Sequence, residues 1–114
     1  MLTRKNFPVV YRLFALALLA GCTSQPTPMN AVAAVTIHDF KFQPTDITVQ
    51  VGTTVTWTNM DSASHTVTAS DGSFASDPLS SQKTFSQRFG QAGTFAYHCN
   101  IHPEMTATIH VIAP

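Results

Sequence analysis

The chain predicts an all-β fold, a β-sandwich of seven or eight strands, on three observations. Beyond residue 34, apolar and polar residues alternate with period two, the pattern of strands with one face in a core. Strand-breaking residues recur at short intervals, and no stretch of twelve residues carries a convincing helical stripe. Strands this short and closely spaced need long-range partners, which a two-sheet sandwich supplies.

The elements follow in chain order. Val35 and Ile37 open the alternation; after a phase slip Phe40 and Phe42 take the inward positions, then Ile47, Val49 and Val51, then Val55 and Trp57. Breaks are expected at Gln43-Pro44, Val51-Gly52, Asn59 to Ser64, Asp71-Gly72, Asp77-Pro78, Gly90 and Gly93, where proline fixes φ and glycine, asparagine or aspartate accept turn geometry. Later strands are expected over His65 to Ala69, Lys83 to Phe89, Thr94 to His98 and Thr106 to Ile112, with Phe85 or Phe89, Phe95, Tyr97, Ile109 and Val111 inward. Asp71 to Gln82 has room for one turn of helix. No internal repeat is present.

The N-terminal segment has a different character. Arg4, Lys5 and Arg12 precede an apolar run, Leu13 to Ala20, with no acid among them. This is the layout of a secretory signal, and the run is too short to span a bilayer. Leu19-Ala20-Gly21-Cys22 resembles the lipobox of bacterial lipoprotein precursors. That resemblance implies a signal peptide over 1–21, lipidation of Cys22 at the new N-terminus, and an exported, periplasmic or otherwise extracytoplasmic protein anchored to a membrane. Ordinary cleavage with Cys22 a spectator is the other reading. Residues 22–33, rich in Pro, Ser, Thr and small side chains, read as a flexible tether, leaving 34–114 as the folded domain.

Charge and cysteine count narrow the function. Six Lys plus Arg balance six Asp plus Glu, and only 11% of residues are charged, so nucleic-acid binding is not expected. From Cys22 onward Lys41, Lys83 and Arg88 face Asp39, Asp46, Asp61, Asp71, Asp77 and Glu104, a net charge of −3; a monomer is expected. Two cysteines cannot build a disulfide scaffold or a zinc site of two Cys pairs. With Cys22 acylated, Cys99 is the one free thiol in an oxidising compartment, where a bound metal or simple burial must protect it.

Chemistry concentrates near the C-terminus. Cys99, His102 and Met105 lie three residues apart on one loop between two strands, and His65 follows a polar loop 34 residues before the cysteine. Thiolate, two imidazoles and a thioether suit copper, with His, His and Cys in plane and Met as a long axial ligand. Zinc would accept the first three donors but gains little from the thioether. A tight Cys-x-x-His-x-x-Met loop can fold three donors around one ion, so the remaining imidazole must come from a neighbouring strand. A rigid sandwich that keeps donors fixed while the ion changes charge favours electron exchange.

Here the chain resembles the cupredoxins, the small blue copper proteins, and is most similar to their amicyanin and plastocyanin group. The resemblance covers roughly Val35 to Val111: Phe40-Lys-Phe-Gln-Pro44, Val51-Gly-Thr-Thr-Val-Thr-Trp-Thr-Asn59, Ser64-His65-Thr66-Val67 and the terminal loop, whose His102-to-Met105 gap is similar to amicyanins. It implies a Greek-key sandwich, one copper ion held by His65, Cys99, His102 and Met105, and single-electron transport without catalysis. It also implies transient redox partners docking near His102, beside Ile101 and Pro103. Thr66 departs from the family pattern, which often has an asparagine there tying the ligand loops together and donating near the cysteine sulfur.

Two alternatives stay open: a copper storage or delivery module, and a copper enzyme with a second metal site. His98 bears on the second, because copper nitrite reductases resemble this segment in having a histidine directly before the cysteine. Alternation turns His98 outward, and only His38 and His110 remain as further imidazoles. No Ser-His-Asp set, catalytic carboxylate pair or phosphate loop is evident, and the aspartates are read as turn caps.

Overall fold

The computed structural model describes residues 31–114; the signal peptide, Cys22 and most of the tether expected from the sequence lie outside them. The described residues form eight strands: β1 (Val32–His38), β2 (Lys41–Gln43), β3 (Asp46–Gln50), β4 (Thr54–Asn59), β5 (Thr68–Ala69), β6 (Thr84–Arg88), β7 (Gly93–His98) and β8 (Thr106–Ile112). β1 begins at Val32, so the last two residues assigned to the tether pair with Thr54 and Val55 of β4.

The strands make two four-stranded sheets, ordered β2-β1-β4-β6 and β3-β8-β7-β5, the Greek-key sandwich expected. β1 runs parallel to β4 and β3 parallel to β8, while the other neighbours are antiparallel. Each parallel pair is made by strands well separated in sequence, which is why alternation alone does not announce it. At the turn from β3 to β4, Gly52 takes φ 96°, a left-handed conformation that costs glycine little.

Between the sheets lie the alternating residues named from the sequence: Val35, Ile37, Phe42, Val55, Trp57, Tyr97, Ile109 and Val111 are all buried. The centre is aromatic. Trp57 of β4 donates its indole N–H to the Tyr97 hydroxyl of β7 (3.2 Å), and its ring meets Tyr97 edge-on at 5.6 Å and Phe85 at 5.7 Å. A hydrogen bond between two large buried rings joins the sheets with little freedom to slide. Burial pushes the Tyr97 hydroxyl up to about 12, with the charge of Asp46 adding to it and the Trp57 bond partly offsetting it.

Three expectations need correction. Phe40 does not enter the core. It is 48% exposed, because Asp39 and Phe40 form the two-residue tip of the β1–β2 hairpin, with φ 53° and 57°; left-handed tip residues fall outside strand phase. The strand expected over His65 to Ala69 shrinks to Thr68–Ala69, with His65 making an isolated bridge to Leu79. The segment from Asp71 to Gln82 contains no helix: bridges His65–Leu79 and Thr68–Ala75, and the Ser76 amide bonded to the Val67 carbonyl (2.8 Å), hold it extended.

Candidate metal centre

The centre is built at one end of the sandwich from two loops. His98 of β7 is in register with Thr106 of β8, so residues 99–105 form the connection. Its ends are tied by backbone: the Cys99 amide donates to the Met105 carbonyl (3.1 Å) and the Met105 amide to the His102 carbonyl (2.9 Å). This closes the Cys-x-x-His-x-x-Met segment into a compact loop with Cys99 and Met105 buried. The second loop, 60–65, is shaped by buried Asn59, whose amide group donates to the carbonyls of Ala63 and Leu79 (both 2.8 Å) and whose oxygen accepts the Asp61 amide (2.9 Å). His65 leaves this loop to be clamped by a pair of backbone bonds with Leu79 (3.1 and 2.7 Å).

Three of the four donors expected from the sequence converge. His65 Nδ1 and His102 Nδ1 are 3.1 Å apart, and each lies 3.8 Å from Cys99 Sγ. The point equidistant from these three atoms is about 2.1 Å from each, in the range of about 2.0–2.3 Å for metal–imidazole and metal–thiolate bonds. The residues therefore fit a single metal ion in their plane. Met105 is buried, and its backbone is joined to Cys99 and His102.

The surroundings prepare these donors. His65 Nε2 is 2.8 Å from Asp61 Oδ2; an imidazole N–H donating there leaves Nδ1 with its lone pair towards the centre. The sequence marks Asp61 only as a turn cap. It does cap, accepting the amides of Asp39 (2.8 Å) and Phe40 (2.9 Å), but it also orients His65, and its position four residues before that histidine was the available signal. Burial opposes ionisation of Asp61, yet the Phe40 amide, the His65 imidazole and the Asp39 amide outweigh it and hold the carboxyl below its ordinary value.

Thr66 takes over the linking role in question. Its amide donates to Cys99 Sγ (3.3 Å), and its hydroxyl accepts the Asn100 amide (2.8 Å). The amide fixes the direction of the sulfur, while the hydroxyl stitches the two loops together. His65 and Cys99 are fully buried and His102 is partly exposed, so the imidazole of His102 is the edge nearest solvent.

His98 stays outside this group. Its ring nitrogens face Ser70 Oγ (3.3 Å) and Asn100 Oδ1 (2.9 Å). Among the described residues the only other cluster of possible ligands is His38, Asp39 and Asp61, so neither His98 nor His110 has a second set of metal-binding side chains around it.

A two-sheet Greek key with a Cys-His-His centre at one end defines a class, and the cupredoxin-like domain model matches residues 11–111: the chain belongs to the cupredoxin-like family. Among individual relatives, it is 32% identical to amicyanin-alpha of Methylorubrum extorquens over 102 residues, covering 83% of this chain and 85% of that one. The structure resembles a purple cupredoxin from Nitrosopumilus maritimus (TM-score 0.65, 30% identity, 70% of this chain and 99% of the other). It also resembles a copper-containing nitrite reductase from Thermus scotoductus (TM-score 0.68, 26% identity), but 72% of this chain matches only 22% of that enzyme.

Proposed function

We propose that this protein is a membrane-tethered mononuclear copper protein that carries single electrons, with His65, Cys99, His102 and Met105 as its ligands. The convergence of His65 Nδ1, His102 Nδ1 and Cys99 Sγ on one point, within side chains already oriented, carries the reading. Copper supplies a one-electron couple between its cupric and cuprous states. The chain supplies everything else. Cys99 contributes the thiolate and Thr66 shares that sulfur's charge through its amide. His65 and His102 would hold the ion beside it, and the Met105 thioether would add a weaker fourth donor.

A donor set built into a stiff core changes shape little between charge states, which keeps electron transfer fast. The Asn59 network and the Thr66–Asn100 bond hold the two ligand loops, and the Trp57–Tyr97 bond stiffens the core on which they stand. Electrons would pass at the His102 edge, where the exposed side chain of Ile101 and neighbouring Pro103 offer an apolar contact for partners that must dissociate after each transfer. The amicyanin likeness supports a carrier. The match to the copper-containing nitrite reductase spans only 22% of that enzyme, whereas the match to amicyanin-alpha spans 85% of that protein, which favours a carrier over an enzyme with a second copper. Cleavage before Cys22 and its lipidation would keep the carrier at an extracytoplasmic membrane surface.

The test is a cupric titration of the purified protein followed by visible absorption. An intense thiolate-to-copper band saturating at one ion per chain, absent from Cys99→Ser, supports the reading. A colourless ion bound equally by both overturns it. Retention of the ion through repeated oxidation and reduction separates a carrier from a delivery protein, which would surrender it to an acceptor.

A further inference from the structure

Phe40 is the least expected residue in the structure. It occupies the second position of a two-residue hairpin tip with φ 57°, directly after Asp39 at 53°. Such tips favour Asn-Gly, and a bulky side chain in the left-handed region is an outlier that the surroundings must compel. Strain of this kind collects where a side chain is needed in one place.

Two successive left-handed residues aim their amides the same way, and the Asp61 carboxylate accepts both, Oδ1 from Asp39 and Oδ2 from Phe40. The same Oδ2 accepts His65 Nε2–H, and Asn59 fixes the Asp61 backbone. One carboxylate thus locks the hairpin tip to the histidine. The locked tip lays the Phe40 ring edge-on across both imidazoles, 5.1 Å from His65 and 5.0 Å from His102, with planes at 90° and 87°. Its other side faces solvent.

We propose that Phe40 is a positioning residue for the metal centre: held in a strained turn by Asp61, its ring forms the outer wall over His65 and His102, keeps water from the imidazoles and limits the outward swing of His102. The inference rests on the copper reading and adds to it a residue that touches no metal. Without the ring, both imidazoles gain room and water. Water stabilises the more highly charged ion, so the cupric state gains on the cuprous, and an outward rotation of His102 opens a path for release.

The experiment compares the copper-loaded full protein with Phe40→Gly, Phe40→Asn and Phe40→Tyr. Glycine and asparagine accept the left-handed tip, so the turn survives without the ring, whereas tyrosine retains it. In the ringless variants a cuprous chelator should extract copper about tenfold faster, the scale seen when outer contacts of metal ligands are lost. Their potential should fall by about 30 mV, a roughly threefold bias towards the cupric state at 59 mV per decade for one electron. Phe40→Tyr should match the parent in both. Parental extraction rates and potentials in the ringless variants, with thermal unfolding unchanged, overturn the proposal. So does failure of both ringless variants to fold, which would make Phe40 structural. A parent that shows no thiolate-to-copper band sinks the copper reading itself, a distinguishable result.

Discussion

Asp61→Ala tests the support of the centre most quantitatively. The carboxylate accepts three N–H groups at 2.8, 2.9 and 2.8 Å, and their fates differ once it is gone. The amides of Asp39 and Phe40 sit at an exposed hairpin tip and can turn to water, so each costs little. His65 is fully buried and its Nε2–H finds no substitute. One buried donor left unpaired costs about 1–3 kcal/mol, and loss of bonds to a charged acceptor adds to it. A total of about 2–4 kcal/mol follows. Urea unfolding of the metal-free protein at pH 7 reads this directly. Asp61→Asn should lose less, because its amide oxygen can serve one side of the old carboxylate while its NH2 faces a donor on the other. The reasoning fails if Asp61→Ala costs under about 0.5 kcal/mol, the ordinary scatter of surface substitutions, or if Asp61→Asn is the more damaging change.

Four further outcomes follow. Tyr97 is held neutral to about 12 against an ordinary value of 10; the unfolded chain therefore ionises first, and stability intact below pH 10 should fall as pH rises towards 12, by up to about 3 kcal/mol. Comparing urea unfolding at pH 8 and pH 11 checks this, and Tyr97→Phe should abolish that alkaline component. Thr66→Val removes the acceptor of the Asn100 amide at a cost of about 1 kcal/mol, and amide exchange at Asn100 should quicken while the backbone N–H to sulfur persists. His98→Ala should leave one copper per chain and an unchanged thiolate band, measured by metal analysis and absorption. Cys22→Ala should release the mature protein from the membrane fraction with its copper spectrum intact, checked by fractionation and mass spectrometry of the N-terminal peptide.

What was legible in the sequence divides along physical lines. Val35, Ile37, Val55, Trp57, Tyr97, Ile109 and Val111 reveal their burial because a strand reports its inner face every second residue, and the sandwich follows from them. Cys99 and His102 announce themselves because their loop is local in the chain, and the same spacing is what proposes Met105. Phe40 misleads, since two left-handed residues rotate the tip out of the alternation that its apolar character suggests. Asp61 is legible only in part: its spacing to His65 is short, but its other partners are backbone amides 21 and 22 residues away, and backbone donors leave no mark on composition. The absence of helix between Asp71 and Gln82 has the same origin, since the bridges to Val67, Thr68 and His65 are tertiary bonds that override a weak local preference.

The central claim is that three side chains from two loops share one copper ion. A copper-edge anomalous difference map from crystals of the copper-loaded protein tests it most directly. A single peak about 2.1 Å from His65 Nδ1, His102 Nδ1 and Cys99 Sγ, within the span of metal–nitrogen and metal–thiolate bonds, with the Met105 sulfur facing it at longer range, is the result expected. A peak at the His38, Asp39 and Asp61 cluster instead, or a Cys99 sulfur turned away from the ion, would contradict it.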